Sequence, residues 1–124
     1  MNPNVRARAT VYERASGPLS ISVLTIFEGL QGWLHRGRKD QAQIFLRWVD
    51  GAEIVTFDLA CARLAGDIGA ALLRAGRPIG VVDVGLAATA IVHGRVLVTG
   101  NTAHFEYVRA AGFGLVTENW REPA

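Results

Sequence analysis

The chain has 124 residues, half of them apolar and 19% charged, with a formal net charge of +2. That length fits one domain over residues 1–124, large enough to bury a core without a disulfide or structural metal, and the composition excludes a disordered chain. No apolar run approaches the roughly 20 residues of a membrane helix, and the polar, arginine-bearing start has no signal-peptide core behind it, so a cytoplasmic location is expected.

Pro3 to Ala15 reads as a helix with Asn2 as its cap and Pro3 at its first position, closed by the Ser16-Gly17-Pro18 turn. Leu19 to Leu24 reads as a strand. Thr25 then opens a helix carrying Ile26, Phe27, Leu30, Trp33 and Leu34 at helical spacing, and Gly37 ends it. Asp40 to Val49 is a further helix. After the Asp50-Gly51 turn, Glu53 to Phe57 is a second strand. Asp58 caps a long helix to about Arg74, whose apolar face holds Leu59, Ala62, Leu64, Ile68, Leu72 and Leu73. The single Cys61, between Ala60 and Ala62, reads as small core filler.

Pro78 and Gly80 separate that helix from the next, which Asp83 can cap and which runs to a stop at Gly94. Arg95 to Thr99 is a β-branched strand ending at Gly100-Asn101. Thr102 to Ala110 is a helix, Gly112 to Gly114 a turn, and Leu115-Val116 a last short strand before Glu118-Asn119-Trp120. Strands thus alternate with helices. Parallel neighbours need crossovers and helices supply them, so the expected fold is a three-layer α/β/α domain around a parallel sheet of about four strands.

Twelve of the 13 basic residues are arginine, with Arg36, Arg38 and Lys39 gathered beside His35. A guanidinium grips phosphate bidentately. There is no dense basic stripe, however, and base composition explains an Ala-, Gly- and Arg-rich chain better than a selected nucleic-acid footprint does. The polar residues placed at strand ends or helix starts are few: Thr25, Glu28, Asp83, Thr99 and Asn101. Their spacing is no motif. In a parallel sheet, though, strand-to-helix corners share one edge, where scattered carboxylates can hold a hard cation.

Several stretches together resemble the PIN-domain ribonucleases of VapC type. They are Ile21-Ser22-Val23-Leu24-Thr25-Ile26-Phe27-Glu28, Pro78-Ile79-Gly80 with Asp83 and Ala87-Ala88, Leu97-Val98-Thr99-Gly100-Asn101-Thr102 with Phe105, and Glu118-Asn119-Trp120. The resemblance spans about Asn4 to Trp120. It implies a PIN-like fold and a divalent-metal-dependent endoribonuclease, the toxin of a VapBC pair, with Mg²⁺ or Mn²⁺ as cofactor, RNA as substrate and a VapB-like antitoxin as partner. A homodimer is also expected.

By that resemblance Glu28 matches the family's second acidic residue, Asp83 its third, and Asn101 stands at the fourth position, where an aspartate is often found. These three are the candidate catalytic and metal-binding residues. Thr25, Thr99, Thr102 and His104 are candidate RNA or phosphate contacts. The family's first, central strand and the leading carboxylate at its end have no counterpart here, which implies a late start or a truncated gene. A metal-bound water attacking phosphorus in line is the implied mechanism. With fewer carboxylates present, a relative that binds antitoxin or RNA without cutting is the alternative.

Each residue also has a plainer role. Thr25 to Glu28 fits a capping box, Asp83 an N-cap and Asn101 a turn residue. Asp67 reads as an exposed helix residue. His93 suits a helix carboxyl end, and His104, one turn after Asn101, suits a surface position. Trp33, Trp48, Phe27 and Phe45 fit core or dimer packing better than base stacking. A phosphate-receiving domain with Asp58 as acceptor is a third reading, opposed by the lack of an acidic pair after a first strand and of a suitably placed lysine.

Overall fold

The computed structural model describes residues 2–122. In chain order the elements are α1 (Pro3–Ser16), β1 (Ser20–Ser22), α2 (Val23–His35), α3 (Lys39–Asp50), β2 (Glu53–Val55), α4 (Leu59–Arg74), α5 (Val81–Val92), β3 (Leu97–Val98), α6 (Thr102–Ala110) and β4 (Thr117–Glu118). Local chemistry sets many of the boundaries. The Asn2 side chain accepts from the Asn4 and Val5 amides ahead of Pro3, and the α1 chain reverses at Gly17, whose φ of 86° costs only glycine nothing. The Asp58 carboxylate accepts from the Cys61 amide at 3.0 Å and starts α4.

Three starts differ from the sequence pattern. Helix α2 begins at Val23, because the Ser22 hydroxyl accepts from the Leu24 amide at 3.1 Å. Thr25 and Glu28 therefore lie inside the helix and form no capping box. Helix α5 is capped by Gly80, with Asp83 in its first turn. The last strand is Thr117–Glu118 rather than Leu115-Val116, since Leu115 turns inward and is buried.

All four strands occur, but they do not form one sheet. β1 pairs in parallel with β2, Ser20 opposite Glu53 and Ser22 opposite Val55. β3 pairs in parallel with β4, Leu97 opposite Thr117. Among the described residues these are two separate two-stranded sheets. Between them lies a cleft of about 510 Å³, with α1 on one side and α5 on the other.

The core sits on α5. Val84, Gly85, Ala87, Ala88, Thr89 and Ala90 are all buried there, packed against Ile68 and Leu72 of α4, Phe105 and Val108 of α6, and Leu115. Thr89 satisfies its hydroxyl within the helix, donating to the Gly85 carbonyl at 2.7 Å. The helical pattern over-assigned the inward face elsewhere: Leu59 and Leu73 of α4 are exposed. In α2 no residue is buried, since it packs mainly on its hairpin partner α3. Phe27 and Trp48 are likewise open to solvent, Trp48 stacking on Phe45 with centroids 6.2 Å apart. No helix among the described residues is long and apolar enough to cross a membrane.

Phe105, 2% exposed in the core cluster, should lose about 3–5 kcal/mol of stability on Phe105→Ala. Val81, 89% exposed, should change by less than about 0.5 kcal/mol on Val81→Ala. Urea unfolding of both variants checks the contrast, and equal losses would mean that the core lies elsewhere.

Candidate active site

Two helices and one loop bring the polar residues together. Glu28 comes from the second turn of α2 and Asp83 from the first turn of α5. The helices approach closely because residue 85 is glycine: a Cβ there would lie 2.6 Å from the Leu24 Cδ1. One turn beyond Leu24 on α2 stands Glu28. Asp83 stands two residues before Gly85, so the close crossing sets the carboxylates near one another.

Their proximity bears on the charge of Glu28. Partial burial, and secondarily the negative charge of Asp83, push its carboxyl above the usual glutamate range. The second half of the site comes from α6 and the loop before it. His104 Nδ1 lies 3.7 Å from the Asp83 carboxylate and 2.9 Å from Asn101 Nδ2. Only 2.9 Å is a hydrogen-bond length, so the bond to Asn101 is the one that holds the ring, with the Asp83 carboxylate just beyond it.

The threonines are distributed unevenly. Thr99 Oγ1 accepts from the Asn101 amide at 3.0 Å and so shapes the loop. Thr102 is exposed at the start of α6, while Thr25 lines the cleft between the sheets. Arg121 went unnoticed in the sequence. Its guanidinium packs over Gly100, where a Cβ would meet Nε and Cζ at 3.0 Å, so a cation stands beside the Asn101 loop. Nothing marks it in the sequence except its position after Trp120. The Glu118-Asn119-Trp120 stretch itself is an anchor: Arg8 of α1 pairs with Glu118 at 3.2 Å and donates to the Asn119 carbonyl at 3.1 Å, and the Trp120 indole donates to Glu118 at 3.3 Å.

A second cluster, Asp58, Cys61 and His93, has one possible ligand atom from each residue, all within 4.8 Å of one another. Sequence spacing could not show it, because His93 comes from the far end of α5. Hydrogen bonding within the fold accounts for it. Asp58 caps α4, while Cys61 Sγ and His93 Nε2 both lie against the Thr56 carbonyl, at 3.7 and 3.0 Å. Burial raises the Cys61 thiol pKa, which disfavours the thiolate that a metal requires.

No family model matches the chain. A curated relative, the tRNA(fMet)-specific endonuclease VapC of Shigella flexneri, is 34% identical over 116 residues, 90% of this chain and 85% of that protein. The chain belongs to the VapC family. Solved structures agree. A chain of the DNA-bound VapBC of Salmonella typhimurium superposes with a TM-score of 0.81 at 26% identity, over 95% of this chain and 85% of that one. A chain of the DNA-bound VapBC2 of Rickettsia felis gives 0.79 at 26% identity, over 95% and 86%.

Membership in the VapC family establishes the α/β PIN-type fold and a place among ribonuclease toxins, as the four motifs implied. Within this VapC-family chain, the Glu28 shift carries a pH signature. A carboxyl whose folded pKa is raised binds more protons in the folded state, so its ionisation destabilises the fold as pH rises from the unfolded through the folded value. Below that window Glu28 is neutral in both states and the penalty is absent. Asp83→Asn should lower the Glu28 pKa partway toward its ordinary value, because the burial contribution remains, as read by the pH titration of its carboxyl carbon resonance. An unchanged midpoint would show that the two side chains do not interact.

Proposed function

We propose that this VapC-family chain is a divalent-metal-dependent endoribonuclease that cleaves RNA phosphodiester bonds, with Glu28, Asp83 and Asn101 as the cation's protein ligands. The observation that carries this reading is the convergence of the three residues: the close crossing at Gly85 brings α2 with Glu28 onto α5 with Asp83, and His104 links Asp83 to Asn101 at 3.7 and 2.9 Å. Like charges held together in a folded site are relieved by a cation. The donors are two carboxylates and an amide oxygen. Hard oxygen ligands of this kind suit Mg²⁺ or Mn²⁺, and Mg²⁺ is commonly held by one or two carboxylates with waters and substrate phosphates completing its sphere.

When bound, such an ion supplies Lewis-acid charge to the phosphoryl oxygens and lowers the pKa of its water. The chain's own residues do the rest. Thr99 holds the Asn101 loop, and Asn101 holds the His104 ring at 2.9 Å, from where the imidazole can reach a phosphate oxygen. Arg121 and the Thr102 hydroxyl offer further contacts to a phosphodiester chain, and Thr25 offers one from the cleft side. The relative from Shigella flexneri makes tRNA the first substrate to try.

The matched solved chains come from VapBC complexes, and a VapB-like antitoxin is the proposed partner, in the cytoplasm. A surface suited to such a partner exists between α4 and α5. There Phe57, Leu73 and Val81 expose apolar side chains around a groove of about 500 Å³, the kind of patch that marks an interaction site. A non-cleaving relative is the second reading, favoured by the presence of only two carboxylates in the proposed ligand set.

Mn²⁺ titration by calorimetry, with tRNA cleavage measured alongside, separates the readings. The wild-type chain should bind Mn²⁺ and cut tRNA. Asp83→Ala should weaken the ion by at least about tenfold and abolish detectable cleavage, and Glu28→Gln should act in the same direction. Absence of Mn²⁺ binding by the wild-type chain would favour the non-cleaving relative.

A further inference from the structure

Where β2 hands over to α4, the far end of α5 returns to the same corner. Asp58, Cys61 and His93 each offer one ligand atom there, all within 4.8 Å of one another. A backbone oxygen joins them. The Thr56 carbonyl lies 3.7 Å from Cys61 Sγ and 3.0 Å from His93 Nε2. Around a four-coordinate ion with metal–ligand distances of about 2.0–2.3 Å, the ligand atoms stand roughly 3.3–3.8 Å apart. The two contacts to Thr56 are already near that spacing, and the side-chain atoms need close by no more than roughly 1 Å to reach it.

Fixed charges at the corner agree with the spacing. Asp58 is the N-cap of α4 and Cys61 stands in its first turn, so the two groups that bind an ion as anions lie where a helix amino end favours negative charge. His93 is the C-cap of α5, whose carbonyl end favours a cation. Burial is graded across the cluster. Cys61 is enclosed, His93 half-buried and Asp58 exposed, which gives an ion an entry beside Asp58 and a dry sulfur behind it. Asp83 precedes His93 by ten residues on α5, about 15 Å along the helix axis, so this corner is separate from the acidic edge.

We propose that Asp58, Cys61 and His93, with the Thr56 carbonyl, form a Zn²⁺-binding site. The donor set decides the ion. One sulfur, one imidazole nitrogen and two oxygens suit a borderline-soft, tetrahedral cation, whereas Mg²⁺ takes oxygen ligands in octahedral geometry. The hydrogen bonds that hold the cluster are ones a cation can take over. Asp58 caps α4 through Oδ1, so Oδ2 is the oxygen it can turn to an ion. The thiol proton leaves to solvent as the sulfur binds, and the imidazole binds through a bare nitrogen. An ion held in this way ties the exit of β2, the start of α4 and the end of α5 together. Its role is a structural staple, and the assignment does not rest on the ribonuclease reading.

The probe is Co²⁺ added to the full, reduced chain, followed by Zn²⁺. Bound Co²⁺ should show a thiolate-to-metal charge-transfer band and intense visible bands of tetrahedral geometry, and Zn²⁺ should abolish both by displacement. Oxygen ligands at the acidic edge give no sulfur band. Cys61→Ser should remove it, while His93→Gln and Asp58→Asn, the latter keeping a cap acceptor, should each weaken Co²⁺ by at least about tenfold. Saturating Zn²⁺ should raise the melting temperature of the wild-type chain by at least about 5 °C more than that of Cys61→Ser. Circular dichroism checks that each variant folds, and if Cys61→Ser does not, His93→Gln takes its place in the melting comparison. Three results overturn the proposal: no sulfur band at saturating Co²⁺, a band of unchanged affinity in both His93→Gln and Asp58→Asn, or a Zn²⁺ melting shift kept in full by the variant. The second would mark an adventitious thiol contact and the third an ion bound elsewhere.

Discussion

Burial of α5 is the constraint on which the other elements depend. A twelve-residue helix with six buried positions, most of them Ala, Gly or Val, can be approached closely from several sides, and α4, α2 and α6 all pack on it. Small residues make that possible. At Gly85 the Leu24 side chain occupies space that any Cβ would claim, and Thr89, the one buried polar side chain among the described residues, turns its hydroxyl back onto its own helix. The core around α5 is thus set by shape, and the polar chemistry of Asp83 is displaced to the first turn of the helix.

That confinement explains why the acidic residues meet. Asp83 sits in the first turn of α5, where the amide ends of the helix favour a negative side chain. The close crossing at Gly85 then sets Glu28 beside it. Burial and this neighbour both work against Glu28 ionisation, and no basic side chain among the described residues forms an ion pair with it. A pair of carboxylates whose mutual repulsion is left standing is an expensive arrangement for a purely structural role, and the plain helix cap first open to Asp83 is in any case taken by Gly80.

The order and type of elements were legible because helical period, turn glycines and Asn2 and Asp58 caps are local properties. α1, α4 and α6 lie within a residue of the sequence pattern. Boundaries failed where two local signals competed. Ser22 and Thr25 are both capping residues, and the pattern chose Thr25, but strand pairing of Ser22 with Val55 ends the extended chain there and makes Ser22 the cap. Leu115-Val116 looked like the strand because they are apolar, whereas the inward turn of Leu115 leaves pairing to Thr117 and Glu118. Of the site, residue types and their edge of the fold could be read. The link from Asn101 through His104 toward Asp83, the position of Arg121 and the Asp58–Cys61–His93 cluster could not, since each depends on contacts between residues far apart in sequence or on side-chain rotamers.

The split sheet bears directly on the acidic edge. β1 and β3 are the walls of the cleft and also the strands that deliver Glu28 and Asn101. Among the described residues no hydrogen bond joins those walls; α5 lies beneath them and α1 above, with α1 fastened through Arg8 to the Glu118–Trp120 segment and Asn4 to the Arg121 carbonyl. Helix packing tolerates sliding that a strand ladder does not. A ladder fixes the distance between adjacent strands at about 4.8 Å, whereas here helix packing sets the spacing of β1 and β3, and with it the distance between the α2 and the Asn101 sides of the site.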